Sequence, residues 1–195
     1  MAKTESLTND LILDATIELL RRYGPDKTSV VDVAKALGVT HGSLYRYFPD
    51  KAALFDAVMR RWLPVFTGNL PEITAKDTPA DERLKEWLLA LIRIKHDVAK
   101  SDPEMFAKYT QIAERSHTVI KEHIDELVGV IGQIIEDGNK AGVFKVRDAD
   151  QEARAIFSST VYYHHPYHVL QQLKRPIDAE AERLVTLVVE GLRTA

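Results

Sequence analysis

The stretch of sequence that decides the fold is TSVVDVAKALGVTHGSLYRYF, which occupies residues 28–48. Its first half repeats apolar residues at helical spacing and stops at Gly38, a residue type that readily adopts the positive φ found where helices end. Thr40 follows, and its hydroxyl can accept a hydrogen bond from the first turn of a second helix. The sequence therefore predicts two short helices joined by a tight turn. The apolar residues that would fix the angle between them are Val33, Ala34, Leu37, Val39 and Leu44.

A helix pair of this kind can bind DNA, with the N-terminal part of its second helix in the major groove and its first helix across the phosphate backbone. The outward residues suit that role, because they include groups that reach base edges and groups that contact phosphate. The candidates for base contact are His41, Gly42, Ser43 and Arg46. The candidates for phosphate contact are Tyr45, Tyr47 and Lys51. A solvated helical hairpin that binds no nucleic acid is the alternative that the pattern alone leaves open.

This stretch, with Leu54 and Phe55 after it, resembles the DNA-binding domain of the TetR family of bacterial transcriptional regulators. The family's motif is roughly Thr, then Val-Ala-x-x-x-Gly-Val-(Ser/Thr)-x-Gly-x-Leu-Tyr-x-(Tyr/His)-Phe-x-x-Lys-x-x-Leu. Its positions are filled here by Thr28, Val33, Ala34, Gly38, Val39, Thr40, Gly42, Leu44, Tyr45, Tyr47, Phe48, Lys51 and Leu54. With one helix before the motif and one after it, the resemblance covers about residues 7–62.

The resemblance also implies roles for individual residues. The second helix of the motif would be the recognition helix, with His41, Gly42, Ser43 and Arg46 facing the bases. Phosphate contacts from Thr28 or Ser29, and from Thr40, would join those of Tyr45, Tyr47 and Lys51. Helix N-termini offer free N–H groups and a partial positive charge, which favours phosphate at these places.

The net charge of the whole chain, taken alone, argues against a nucleic-acid partner. The chain has 195 residues, with 26 Lys and Arg against 29 Asp and Glu, which gives a net charge of −3. Residues 27–51, however, carry four basic and two acidic side chains, a local charge of +2. This local charge is enough for DNA binding if hydroxyls and helix N-termini share the phosphate contacts and a dimer doubles the number of contacts. The absence of Cys excludes zinc ribbons, Cys nucleophiles and iron–sulfur clusters.

The rest of the chain is also predicted to be helical, so we expect an all-α fold of about nine helices. A three-helix DNA-binding domain is expected over residues 1–67, with its motif at about 28–48. A second helical domain is expected over 68–195, after a linker at about 68–78. The apolar stretches are far shorter than the ~18 residues of a membrane-spanning helix, so we expect a cytoplasmic protein without membrane partners.

For residues 68–195 the resemblance implies a domain that binds a small-molecule effector and forms a homodimer. The dimer would use the last two long helices, at about 150–173 and 178–193. The last helix is apolar over a wide arc, as expected if its own domain covers one side and a partner covers another, although burial within a monomer is the alternative. The protein would then be a repressor of unknown effector that binds a near-palindromic, double-stranded operator.

An effector pocket needs apolar walls and a few convergent polar groups. Residues of this kind on the middle helices are Phe66, Trp87, His96, Met105, Phe106, Tyr109, His117, Phe157 and Tyr162. Ordinary core packing is the alternative for each of them.

The segment YYHHPYH at residues 162–168 suggests a different chemistry. His164 and His168 are four residues apart, a spacing that metal sites use, but no acidic residue lies within a turn of them and Pro166 interrupts the local hydrogen bonding. We therefore predict no metal and no cofactor, and expect these rings to pack at the dimer interface or the ligand pocket, with an ordinary surface position as the alternative. A helical enzyme that uses these histidines and an adaptor for protein partners are the competing functions.

Overall fold

The computed structural model describes residues 7–194, and all its regular secondary structure is helical over that range. Its helices are α1 (Asn9–Tyr23), α2 (Val30–Leu37), α3 (His41–Tyr45), α4 (Lys51–Thr67), α5 (Leu70–Thr74), α6 (Ala80–Ser101), α7 (Pro103–Ala113), α8 (His117–Lys140), α9 (Ala149–Ser159), α10 (Val161–His164), α11 (Pro166–Gln172) and α12 (Asp178–Thr194). The prediction of an all-α fold is confirmed.

The predicted number of about nine helices is too low, because twelve helices lie within residues 7–194. One additional helix, α5, lies inside the predicted linker, where it buries Leu70 and Ile73 and accommodates Pro71 in its first turn. The predicted helix at about 150–173 is divided into α9, α10 and α11. Pro166 causes the second break, since it disfavours a helical backbone at His165, whose ψ is 130°.

The ends of the motif helices are fixed by local hydrogen bonds. Ser29 and Asp32 form a reciprocal capping box at the start of α2, and the Ser29 N–H donates to the Asp32 carboxylate at 2.9 Å. Gly38 ends α2 with a φ of 67°, and Thr40 caps α3 by accepting a hydrogen bond from the Ser43 N–H. The predicted turn chemistry is thus confirmed, and α3 ends at Tyr45.

Gly38→Ala is expected to destabilise the fold by about 1 kcal/mol, because an L-residue is strained at this positive φ. A Cβ at this position would meet no atom within 4 Å, so the effect isolates the backbone conformation. Gly129→Ala is the matched control, since Gly129 is helical and equally uncrowded. That substitution should instead stabilise the helix by up to about 1 kcal/mol. Urea unfolding of both variants measures the difference, and an unchanged midpoint for Gly38→Ala would contradict the assignment.

The helices form two compact units. The first contains the residues up to Trp62 together with Glu104–Ile120. Its buried side chains include Ile12, Leu20, Val33, Leu44, Leu54, Phe55, Val58, Phe106, Tyr109 and Ile112. The segment 104–120 therefore packs with the motif helices, although it follows the predicted boundary near residue 67. Tyr109 shows why, because this buried ring lies 5.8 Å from the ring of Trp62.

The second unit contains Leu63–Pro103 and the residues from Lys121 onward. Its centre is α6, which is in contact with α5, α10, α11 and α12. The buried side chains of this unit include Leu84, Trp87, Leu88, Leu91, Ile131, Ile134, Ile135, Phe144, Ile156, Val185 and Val189. Over residues 7–194 no helix combines the length and the apolar character needed to cross a bilayer.

Candidate nucleic-acid interface and effector cavity

The N-terminal part of α3 is the exposed face of the motif. Leu44 is completely buried and anchors the helix, whereas His41, Gly42 and Arg46 are exposed. Ser43 is half-buried, and its hydroxyl shares a 2.8 Å hydrogen bond with the Thr40 hydroxyl. His41, Gly42 and Ser43 therefore lie in the first turn of the second motif helix, and Arg46 follows its last residue as the C-cap.

Two of the predicted phosphate-binding side chains bridge separate parts of the first unit. The Tyr47 hydroxyl donates to the Leu7 carbonyl at 2.7 Å, and 40% of Tyr47 remains exposed. The Lys51 ammonium donates to the Pro25 carbonyl at 2.6 Å, and burial lowers the pKa of Lys51. Tyr45 is 45% exposed. Tyr47 and Lys51 thus have a structural role in addition to any contact with DNA.

Thr28, one of the two alternatives for phosphate contact at the start of α2, is buried in the structure. This residue is only 1% exposed, and its hydroxyl donates to the Gly24 carbonyl at 2.9 Å. Its side chain holds the turn before α2 and does not face outward. Ser29 is half-buried at the start of the same helix, where it forms the capping box. Phosphate contact at this helix start would therefore come from Ser29 or from backbone N–H groups.

The segment that contains α7 is attached to the turn before α2. Arg115 and Asp26 form an ion pair at 2.7 Å, and this guanidinium lowers the pKa of the Asp26 carboxyl. Lys108 donates to the Arg21 carbonyl near the end of α1. Residues 104–120 therefore contact the other helices of the first unit through both charged and aromatic groups.

The predicted effector-pocket residues fall into the two units. Those in the first unit are Met105, Phe106, Tyr109 and His117. Those in the second unit are Phe66, Trp87, His96, Phe157 and Tyr162. Phe106 and Tyr109 are core residues, and His117 is exposed. His96 is buried with its Nε2 3.0 Å from the Tyr163 carbonyl oxygen, and 43% of Tyr162 is exposed.

The second unit contains a cavity of about 470 Å³, which we call the α5–α8 cavity. It is lined by Thr67, Leu70, Pro71, Thr74, Ala75, Trp87, His123, Glu126, Leu127 and Val130. Trp87 is the one predicted pocket residue among them. Its Nε1 and the Nε2 of His123 are buried without a hydrogen-bond partner within the described residues. The walls are therefore mostly apolar, as in a small-molecule site, and two of the lining side chains each carry one covered, unsatisfied nitrogen.

A buried lysine adjoins this region. Lys95 is 5% exposed, its ammonium lies 4.7 Å from the centre of the Phe66 ring, and burial lowers its pKa to about 8. Burial, reinforced by the charge of Lys95, lowers the pKa of His123 to about 4 and that of His164 to about 3. At neutral pH Lys95 is therefore the charged member of this group and both imidazoles are neutral.

Lys95 and His123 were not predicted as site residues, although the sequence contains a signal for both. Lys95 continues the apolar stripe of α6 after Leu88 and Leu91, and His123 precedes Leu127 on the buried face of α8. A lone ionisable residue at a core-facing position of a helix is unusual, because burying it is costly. That signal identifies a candidate site without showing what it binds.

The histidines of residues 162–168 pack against aromatic rings. The His164 ring is buried 4.5 Å from the Phe157 ring, with its Nε2 3.2 Å from the Phe157 carbonyl oxygen. The His168 ring lies 5.2 Å from that of Tyr162. In the part of the chain that the structure describes, no group of three or more His, Cys, Asp or Glu residues is arranged to hold a metal ion.

A second concave surface lies between α9 and α12 and has a volume of about 340 Å³, and we call it the α9–α12 groove. It is lined by Glu152, Ala155, Ile156, Ser159, Leu187, Val188, Gly191 and Leu192. Leu187, one of these lining residues, is 58% exposed. The groove is apolar and bordered by small residues, which would allow another helix to approach closely.

Two family models match the sequence. Residues 12–58 match the model described as bacterial regulatory proteins, tetR family, and residues 80–185 match the tetracyclin repressor-like C-terminal domain. The second match covers more than half of the chain.

Individual relatives extend over nearly the whole length. The transcriptional repressor KstR2 of Rhodococcus jostii is 26% identical over 191 residues, which cover 93% of this chain and 89% of that protein. The fatty acid metabolism regulator protein of Bacillus subtilis is 24% identical over 186 residues, 93% of each chain. The Thermus thermophilus repressor FadR, solved in complex with lauroyl-CoA, has a TM-score of 0.65 at 18% identity, with 95% of each chain covered. The last comparison supports the fold.

Proposed function

We propose that this chain, which belongs to the tetR family of bacterial regulatory proteins, is a ligand-responsive repressor that binds a near-palindromic operator as a homodimer. The family makes it a DNA-binding transcriptional regulator, and we assign it binding and not catalysis. The observation that carries the proposal is the exposed face of α3, where His41, Gly42 and Arg46 lie around a buried Leu44.

The proposed DNA contacts follow from this surface. Arg46 and His41 offer donors to base edges in the major groove, and Gly42 allows close approach of the backbone. The proposed phosphate contacts come from Ser29, Thr40, Tyr45, Tyr47 and Lys51, with the N-termini of α2 and α3 as further donors. For Tyr47 and Lys51 the phosphate would compete with the carbonyl groups that they now bind.

The α9–α12 groove supports the proposed dimer. In a two-fold dimer the same apolar surface of each copy covers the other, which would remove the exposed part of Leu187 from water. A dimer presents two copies of α3, and two half-sites one helical turn apart require a separation of ~34–36 Å. The operator should therefore be nearly palindromic.

The α5–α8 cavity supports the ligand response. Helices α4 and α8 carry residues of both compact units, and each also lines this cavity, through Thr67 and His123 respectively. An effector that fits one arrangement of these helices better than another would change the position of α4 and hence operator affinity. Such coupling is typically worth ~1–3 kcal/mol. The relative that was solved with lauroyl-CoA shows that this fold accommodates a small-molecule ligand.

Binding of the purified protein to DNA from its own upstream region tests the proposal. Fluorescence anisotropy over a range of salt concentrations should show tight binding that weakens steeply with salt, because phosphate contacts release counterions. A random duplex of equal length is the control. Absent binding, or binding that salt does not affect, would contradict the proposed function.

Arg46→Ala and Lys51→Ala are expected to affect DNA binding differently. Loss of Arg46 should remove ~1–3 kcal/mol of discrimination at one base position, since a guanidinium reads the edge of a specific base. Loss of Lys51 should weaken all sequences alike and reduce the salt slope by ~1. Lys100→Ala, an exposed lysine in the second unit, is the control.

Thermal unfolding of the Lys51 variant separates its two roles, because this ammonium also binds the Pro25 carbonyl. An unchanged base preference in the Arg46 variant would argue against α3 as the recognition helix.

A further inference from the structure

Within residues 7–194 the buried ammonium of Lys95 has no anionic partner. Burial is the one influence on its pKa, and among the described residues no carboxylate offsets it. The Phe66 ring partly compensates, since the face of an aromatic ring attracts a cation. A buried, unpaired charge is among the most costly features of a protein interior. Its presence is readily explained if an anion neutralises it during function.

His123 belongs to the lining of the α5–α8 cavity and is also close to Lys95. His123 lines the cavity, and it lies close enough to Lys95 for the lysine charge to lower its pKa. Lys95 is also eight residues after Trp87 on α6, which places both on one face of the helix about 12 Å apart. The charge of Lys95 therefore lies on the His123 side of the cavity, although Lys95 is not itself part of the lining.

The two unsatisfied nitrogens of the cavity-lining side chains can both donate a hydrogen bond. The Trp87 Nε1–H is a donor only, and the Nε2 of the neutral His123 ring can carry a proton and donate. Neither atom has a partner in the described part of the chain. Because both atoms are covered, a ligand oxygen would reach the Nε2 of His123 after a small shift of the lining side chains, and a negatively charged oxygen there would also be attracted by Lys95.

We propose that the α5–α8 cavity binds an amphipathic molecule with a single carboxylate, whose charged end lies toward His123 and Lys95. The apolar part would lie along the other walls, which include Leu70, Leu127 and Val130. A single charge is favoured because one cation is present and the exposed Glu126 at the lining repels a second anion. This inference rests on the proposed ligand-responsive function and assigns the chemical class of its effector.

Three probes with the same ten-carbon chain test the head group. They are decanoate, decan-1-ol and decyltrimethylammonium, each used below its micelle concentration at pH 7. Isothermal titration of the full-length protein should show decanoate binding at least tenfold more tightly than decan-1-ol, with the cation weakest. Equal affinity for decanoate and decan-1-ol, or no binding of decanoate, would overturn the proposal.

Two substitutions test the role of Lys95. Lys95→Met keeps a long apolar side chain but removes the charge, and should reduce the preference for decanoate to within threefold of decan-1-ol. Lys95→Arg keeps the charge and should retain most of the preference, which a purely structural role for Lys95 does not predict. A tenfold preference that persists in Lys95→Met would overturn the assignment.

Operator binding measured without any probe distinguishes this proposal from the function on which it rests. Both variants should bind operator DNA as the parent does, because Lys95 belongs to the second unit and not to the motif. If operator binding is intact and the protein binds decanoate no more tightly than decan-1-ol, the carboxylate proposal fails and the proposed function stands. If the parent protein binds no DNA, the proposed function fails.

Discussion

Leu187→Glu is expected to convert the protein to a monomer and to weaken operator binding by at least about 100-fold. Leu187 is 58% exposed in the α9–α12 groove, which is the surface proposed to pair two copies. A glutamate at this position would place a charge inside the interface, where its desolvation opposes association. A monomer engages only one half-site, so it loses the effective concentration that links two binding events, a factor of ~10²–10⁴.

Sedimentation velocity measures the oligomeric state, and anisotropy with the full operator measures the affinity. Val65→Glu is the matched control, because Val65 is 53% exposed and also lies in the second unit, but on α4. That variant should remain dimeric. A dimeric Leu187→Glu protein with parental affinity would show that the α9–α12 groove is not the interface.

The motif was predictable because its structure is determined by adjacent residues. Gly38 adopts the positive φ that its position in the pattern required, and Thr40 caps the helix that it precedes. The buried Leu44 likewise follows from helical periodicity. Each of these features depends on contacts within a few residues, so the sequence alone contains the relevant information.

The packing of residues 104–120 was not predictable in this way. Tyr109 and Phe106 have the spacing of any amphipathic helix, which shows that one face is buried but not which unit buries it. Their place in the first unit depends on Trp62 and on the ion pair between Arg115 and Asp26, partners that are 47 and 89 residues away in sequence.

The prediction for Thr28 shows a related limit. The family pattern gives the residue type at this position, but the direction of the hydroxyl depends on the Gly24 carbonyl.

The effector pocket was the least predictable part, because nine aromatic, histidine and methionine positions satisfied the same criterion. Of these, Trp87 lines the α5–α8 cavity, and the second lining side chain with an unsatisfied nitrogen is His123.

Lys95→Met is expected to stabilise the folded protein, even though it removes a residue proposed to act in ligand binding. Burial lowers the pKa of Lys95 from 10.5 to about 8, and each unit corresponds to about 1.4 kcal/mol of preference for the neutral form. At neutral pH the buried charge therefore destabilises the fold by about 3 kcal/mol. The cation–π interaction between the Lys95 ammonium and the Phe66 ring offsets about 1 kcal/mol of this cost. The net gain of about 2 kcal/mol corresponds to a rise of ~4–8 °C in the midpoint of thermal unfolding.

The pH dependence of this gain identifies its cause. Below pH 8 the lysine is charged in both states, and the full difference between Lys95→Met and the parent protein is present. Between pH 8 and 10.5 the unfolded chain binds the proton more strongly than the folded one, so the stability of the parent rises with pH relative to the variant. The difference should therefore disappear above pH 10.5. Lys100→Met, at an exposed position of the same helix, should change the midpoint little at any pH. A destabilised Lys95→Met protein at pH 7 would show that the charge already has a partner, which would remove the reason to expect an anionic ligand.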